Sequence, residues 1–161
     1  MDSNSKKAEA GESKPTLLFV YGTLLRGMEN AAFLQSPEKA TFYSRGTIQG
    51  KLYDLGYFPA YVKTDVSQTG LSHEITGEIY EIKHPEVLFE TLDLIEGYNH
   101  QHPERSLFIR ERTIARTEKG KKEVWVYIYN QSLDGCRLIE SGDYRKRRKT
   151  MYQKQTKECL L

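Results

Sequence analysis

Cysteine is scarce. The 161 residues hold two, Cys136 and Cys159, too few and too far apart for a disulfide framework or a zinc site. Both read as free thiols, and a reducing cytoplasm is the expected setting. Long apolar runs are missing as well: no stretch approaches the roughly 20 residues that a membrane helix needs, and the amino-terminal end lacks the apolar segment of a secretory signal. Charge of one sign is also lacking, because 24 Lys and Arg nearly balance 22 Asp and Glu for a net charge of +2. That balance excludes a strong overall field for a polyanion. The body shows no internal repeat and no low-complexity segment. What is present, 38% hydrophobic and 29% charged residues, suits one globular domain with one core.

Residues 1–15 are polar and almost free of apolar side chains, so burial cannot offset the entropy of ordering them; a disordered leader is expected. Residues 16–144 form the expected domain. Leu17 to Tyr21 is a strand-type run that stops at Gly22, where a missing Cβ permits turns and close approaches. Glu29 to Leu34 is predicted as a short helix. Thr41 to Ile48, Lys51 to Leu55 and Ala60 to Lys63 are short strand-type runs separated by Gly46, Gly50, Gly56 and Pro59, a density that points to a curved sheet or barrel. Glu74 to Ile82 carries apolar residues in both registers, as a strand covered on both faces would. The best helix begins at His84-Pro85-Glu86 and is closed by Gly97. Ser106 to Arg116 and Glu123 to Asn130 follow as a hairpin turned by Gly120-Lys121-Lys122, with Val124, Val126 and Ile128 on one face and Trp125, Tyr127 and Tyr129 on the other.

The chemistry concentrates at the end of the helix, in Leu92-Asp93-Leu94-Ile95-Glu96-Gly97-Tyr98. Helical spacing lines Glu96 up with Leu92, Phe89 and Leu88, which puts a carboxyl on the apolar face. It also lies in the last turn, beside the negative end of the helix dipole. Desolvation and dipole both disfavour the anion, so its pKa should rise toward the range useful for general acid–base work. The competing outcome is a helix-terminal glutamate that turns to solvent or pairs with an arginine such as Arg110. At the other end of the candidate site, the glycine turn after the first strand can aim backbone N–H groups at an anion or a developing oxyanion.

Taken together, Tyr21-Gly22-Thr23-Leu24 after a strand, Gly56-Tyr57-Phe58-Pro59-Ala60, Gly77-Glu78-Ile79-Tyr80, Leu92 through Tyr98, Val124-Trp125-Val126-Tyr127 and Gly142-Asp143-Tyr144 resemble the ordered signatures of γ-glutamylcyclotransferase-like proteins. The resemblance runs from about Leu17 to about Tyr144. Short loops and compact length bring it nearest to the branch that acts on γ-glutamylamines. It implies an α+β fold, a small mixed β-barrel with short helices, and a cavity between the Tyr-Gly-Thr-Leu loop and Glu96. The implied reaction closes a γ-glutamyl group into 5-oxoproline and frees an amine, with no metal and no cofactor. Glu96 would move the protons. Gly22, Thr23 and Leu24 would bind the carboxylate or oxyanion, and Tyr21 and Tyr129 would close the pocket or simply pack as strand tyrosines. The alternative is a module that keeps the pocket for a small ligand without turnover.

Other features carry less. His100 and His102 flank Gln101 in a probable-loop stretch beside Pro103 without metal-site spacing, and the Gly22/Gly27 pair lacks the lysine of a phosphate loop. Arg110 and Arg112 alternate on a strand, as on a solvated face, although an arginine there can also bind a carboxylate; whether Arg110 or Tyr127 reaches the pocket is open. Residues 145–161 form a basic tail beginning Arg145-Lys146-Arg147-Arg148-Lys149, for which a solvated extension is expected ahead of a nucleic-acid contact. Its low apolar content predicts that removal after Tyr144 leaves turnover largely intact. Cys159 is third from the end, one position short of a prenylation motif. No membrane partner is expected, and the sequence does not set the oligomeric state.

Overall fold

The computed structural model describes residues 14–65 and 73–147. Most of the expected leader and everything after Arg147 therefore lie outside the described residues. The chain builds β1 (Thr16–Val20), β2 (Ala40–Gln49), β3 (Lys51–Asp54), β4 (Pro59–Val62), β5 (Glu74–Ile82), α1 (Pro85–Ile95), β6 (Phe108–Thr117), β7 (Gly120–Tyr129) and β8 (Arg137–Leu138), an α+β arrangement. Strands β1, β5, β2, β6 and β7 close a barrel in that order, and β4, β3 and β8 form a separate sheet.

Every barrel pairing is antiparallel except one: β1 meets β7 in parallel, with Leu18 opposite Trp125, and that contact closes the barrel. The apolar residues found in both registers of β5 now have a cause. Ile75, Gly77, Glu78, Ile79 and Tyr80 are all buried, because this strand is flanked by β1 and β2 and covered on both faces. Leu18, Ile48, Ile75, Ile79, Val124 and Val126 come from four barrel strands into one core cluster, where each large aliphatic side chain contributes about 1.5–3 kcal/mol by leaving water. Helix α1 lies against the barrel through Leu88, Phe89 and Leu92, and Phe89 meets Trp125 edge-on at 6.0 Å between ring centroids.

Three expectations shift. The helix expected from Glu29 shrinks to a single 3-10 turn, Ala31–Leu34, with no side-chain cap at Asn30. The β6–β7 turn comes earlier than Gly120-Lys121-Lys122: Thr117 pairs with Gly120, so those three residues already belong to β7. The alternation of β7 holds, but both faces carry burial, since Val124 and Val126 on one and Tyr127 on the other are buried. Last, Arg145 and Lys146 do not begin a free tail. With the fully buried Tyr144 they form a 3-10 turn whose Asp143 cap accepts the Arg145 N–H at 3.0 Å. Among the described residues no helix is long and apolar enough to cross a membrane.

Candidate active site

The loop after β1 makes one wall of a cleft. Its turn is closed by the Leu25 N–H on the Gly22 carbonyl at 3.0 Å, and Asn30 holds Thr23 twice, N–H to carbonyl at 2.8 Å and side-chain amide to hydroxyl at 3.1 Å. Among the described residues the N–H groups of Thr23 and Leu24 reach no acceptor. Gly22 is required by a close approach: a Cβ there would lie 2.5 Å from Cγ of Pro59, at the start of β4. The two sheets therefore touch at the mouth of the loop.

The facing wall is the end of α1. Gly97, at φ +69°, ends the helix with paired capping bonds, Tyr98 N–H to the Asp93 carbonyl at 2.8 Å and Gly97 N–H to the Leu94 carbonyl at 3.3 Å. This sharp exit leaves Glu96 as the capping residue, half-buried, on the cleft with Phe19, Val20, Tyr21, Gly22, Thr23, Leu24, Phe58, Pro59, Phe108 and Tyr127. The cleft is narrow and open to solvent at its mouth. Among the residues that line it there is no lysine or arginine, and Glu96 is the one carboxyl.

One turn back, Asp93 is buried and saturated. Arg110 binds it with Nε on Oδ1 at 3.0 Å and Nη2 on Oδ2 at 3.2 Å, the Tyr127 hydroxyl donates to Oδ1 at 2.7 Å, and His100 Nε2 lies 2.7 Å from Oδ2. Burial alone would push the Asp93 carboxyl up, but the bonds from Arg110, Tyr127 and His100 outweigh it and hold it below the ordinary aspartate value. Glu96 has the opposite fate. Burial, followed by the negative charge of Asp93, raises its carboxyl from 4.5 to about 7. Burial and the bond to Asp93 keep the Tyr127 phenol neutral, well above its usual value. The Tyr21 hydroxyl donates to the Tyr127 carbonyl at 2.6 Å, which joins the loop to β7 across the cleft. Tyr21 thus serves as a wall whose proton is already engaged.

The structure brings Glu96, Tyr21, Gly22, Thr23 and Leu24 together. It does not bring Tyr129, whose ring packs on Phe108 at 5.4 Å outside the cleft lining; Tyr127 holds the position on β7 that Tyr129 was expected to fill. Arg110 pairs with Asp93, and among the described residues no arginine pairs with Glu96. Phe58 and Pro59, motif residues to which the sequence gives no role, line the cleft, and Asp93 is a further such residue at the helix end. A signal for Asp93 was present: it follows Phe89 by four residues and so shares its buried face.

A five-stranded closed barrel, a Gly-turn with free N–H groups and a helix-end glutamate of raised pKa define the class, and residues 18–146 match the family described as "Gamma-glutamyl cyclotransferase, AIG2-like". The chain belongs to this family. It is 30% identical over 132 residues to the γ-glutamylcyclotransferase family protein YtfP of Escherichia coli, covering 82% of this chain and 98% of that one. It is also 31% identical over 116 residues to a γ-L-glutamyl-butirosin B γ-glutamyl cyclotransferase of Niallia circulans, covering 71% and 67%. The fold superposes on the solution structure of E. coli YtfP with a TM-score of 0.54, covering 82% and 98% of the two chains.

Proposed function

We propose that the protein converts a γ-glutamyl amine or amide to 5-oxoproline and a free amine, with Glu96 as the proton carrier and without metal or cofactor. The observation that carries this is the pairing, across one small cleft, of a carboxyl held at about 7 with a loop offering unengaged N–H groups. The relative from Niallia circulans, named for γ-L-glutamyl-butirosin B, supports a γ-glutamyl substrate. A γ-glutamyl group carries its own nucleophile. The α-amine nitrogen bonds to the γ-carbonyl carbon, the carbonyl carries negative charge in the tetrahedral intermediate, and the carbon–nitrogen bond to the leaving amine then breaks. Glu96 accepts the proton lost by the attacking nitrogen and returns it to the departing one, so no net proton is consumed by the enzyme. A carboxyl near neutrality can do both. The Thr23 and Leu24 N–H groups take the substrate α-carboxylate or the oxyanion, a role that no cation in the cleft lining can fill. Folding the chain back on itself in a snug cleft makes ring closure effectively intramolecular and preorganised, which is worth up to roughly 7–11 kcal/mol.

On the cysteine count the expected setting is cytoplasmic. The test is a panel of γ-glutamyl amines, γ-glutamyl amino acids and γ-glutamyl lysine, scored for 5-oxoproline release. Release from at least one, abolished in Glu96→Gln, is the expected result. Tight binding of the whole panel without any release would favour a ligand-binding module on the same fold.

A further inference from the structure

Glu78 is buried on the barrel wall, and the chemistry above does not use it. It stands on β5 opposite Val20, the residue that ends β1 before the cleft loop. Its Oε1 accepts the Arg26 backbone N–H at 2.8 Å and the Tyr80 hydroxyl at 3.3 Å. Its Oε2 lies 3.6 Å from Nη2 of Arg145, and that same nitrogen donates to the Arg26 carbonyl at 2.6 Å. Both polar groups of one residue are therefore gripped by the two ends of one ion pair. Arg26 directly follows the Gly22–Leu25 turn.

The far end of this grip is anchored too. Tyr144 is fully buried, the Gly142 carbonyl accepts the Thr76 N–H at 2.8 Å, and Thr76 lies two residues before Glu78 on β5. Arg145 reaches Arg26 from 119 residues away in sequence, over a strand to which its own segment is pinned. We propose that Arg145 is a positioning residue: through Glu78 and the Arg26 carbonyl it fixes the turn that presents the Thr23 and Leu24 N–H groups to a ligand. A charge-assisted bond of this kind matters more for geometry than for overall stability, because Arg145 is about one-third exposed while the peptide it holds leads into the cleft.

The consequence for ligand binding rests on the cyclotransferase reading; the grip itself does not. The full-length chain is compared with Arg145→Ala and Arg145→Lys by amide hydrogen exchange. In Arg145→Ala, the Leu25, Arg26 and Asn30 amides should exchange about tenfold faster, while Val124 and Val126 keep their wild-type protection. Arg145→Lys, a point donor without the planar fork, should fall between the two and keeps the test open if the alanine variant does not fold. Unchanged exchange in the loop, or equal acceleration across the whole barrel, would overturn the proposal. With a turned-over γ-glutamyl substrate, kcat/KM should fall about tenfold, through KM where the loop holds the α-carboxylate and through kcat where it holds the oxyanion. An unchanged kcat/KM would also overturn it. If the wild type releases no 5-oxoproline at all, the cyclotransferase reading fails while the amide exchange still decides the role of Arg145.

Discussion

Asp93 and Glu96 are two carboxyls three residues apart on one helix end, and they differ in what surrounds them. Asp93 is the more buried, yet four hydrogen bonds from Arg110, Tyr127 and His100 hold it ionised. Glu96 has no such partners and faces a cleft of apolar and aromatic walls, so its charge is disfavoured to a pKa of about 7. Burial sets the cost of an ion, and the number of partners decides whether that cost is offset. The saturated carboxylate also acts on its neighbour, since its fixed charge is one of the two causes of the raised value at Glu96.

The comparison can be broken most severely at Glu96. Glu96→Gln keeps size and shape but cannot cycle a proton, so 5-oxoproline release should fall by on the order of 10²–10⁴-fold while thermal unfolding stays cooperative. Near-normal turnover in a folded variant would remove Glu96 from the chemistry.

Asp93→Asn breaks the other side. It strands the guanidinium of Arg110, 14% exposed and otherwise stacked on Phe89 at 4.1 Å and Trp125 at 4.8 Å, and should cost about 3 kcal/mol in urea unfolding. With the negative neighbour gone, the Glu96 pKa should drop, moving the acid limb of the rate profile to lower pH. A loss of stability with an unmoved limb would show Asp93 to be structural alone.

The smallest effect concerns stability and pH. The folded-state pKa of Glu96 lies above its unfolded value of about 4.5, so the native protein binds the extra proton between 4.5 and 7 and loses stability as pH rises through that window. Glu96→Gln, which has nothing to ionise, should be more stable than wild type at pH 8 by on the order of 1–3 kcal/mol and equal to it near pH 4. Urea midpoints of both proteins across that range would check the crossing; a constant difference would mean that packing, and no ionisation, separates them.

Local rules carried the sequence far at the cleft. Strand-to-glycine punctuation located the Tyr21–Leu24 wall, and proline, periodicity and Gly97 located the helix whose end presents Glu96. What escaped depends on partners distant in sequence. Asp93 looks like one polar residue between two leucines until Arg110 and Tyr127 arrive from the β6–β7 hairpin. Tyr127 and Tyr129 share a strand face by alternation, and only the position of α1 separates the one bound to Asp93 from the one stacked on Phe108. The stretch around Arg145 reads as a tail because it is poor in apolar residues, but a guanidinium docks through its hydrogen bonds and needs little apolar area.

The parallel seam between β1 and β7, with the Tyr21 hydroxyl on a carbonyl 106 residues away, also dictates when the cleft can exist. The first wall is synthesised well before the closing strand, so a nascent chain carries the loop over that interval with nothing to face it. Contacts of such long sequence separation make barrel closure a late and slow event. A γ-glutamyl ligand can meet only the finished barrel, and by binding that state alone it would draw the last folding step toward completion in proportion to its own concentration.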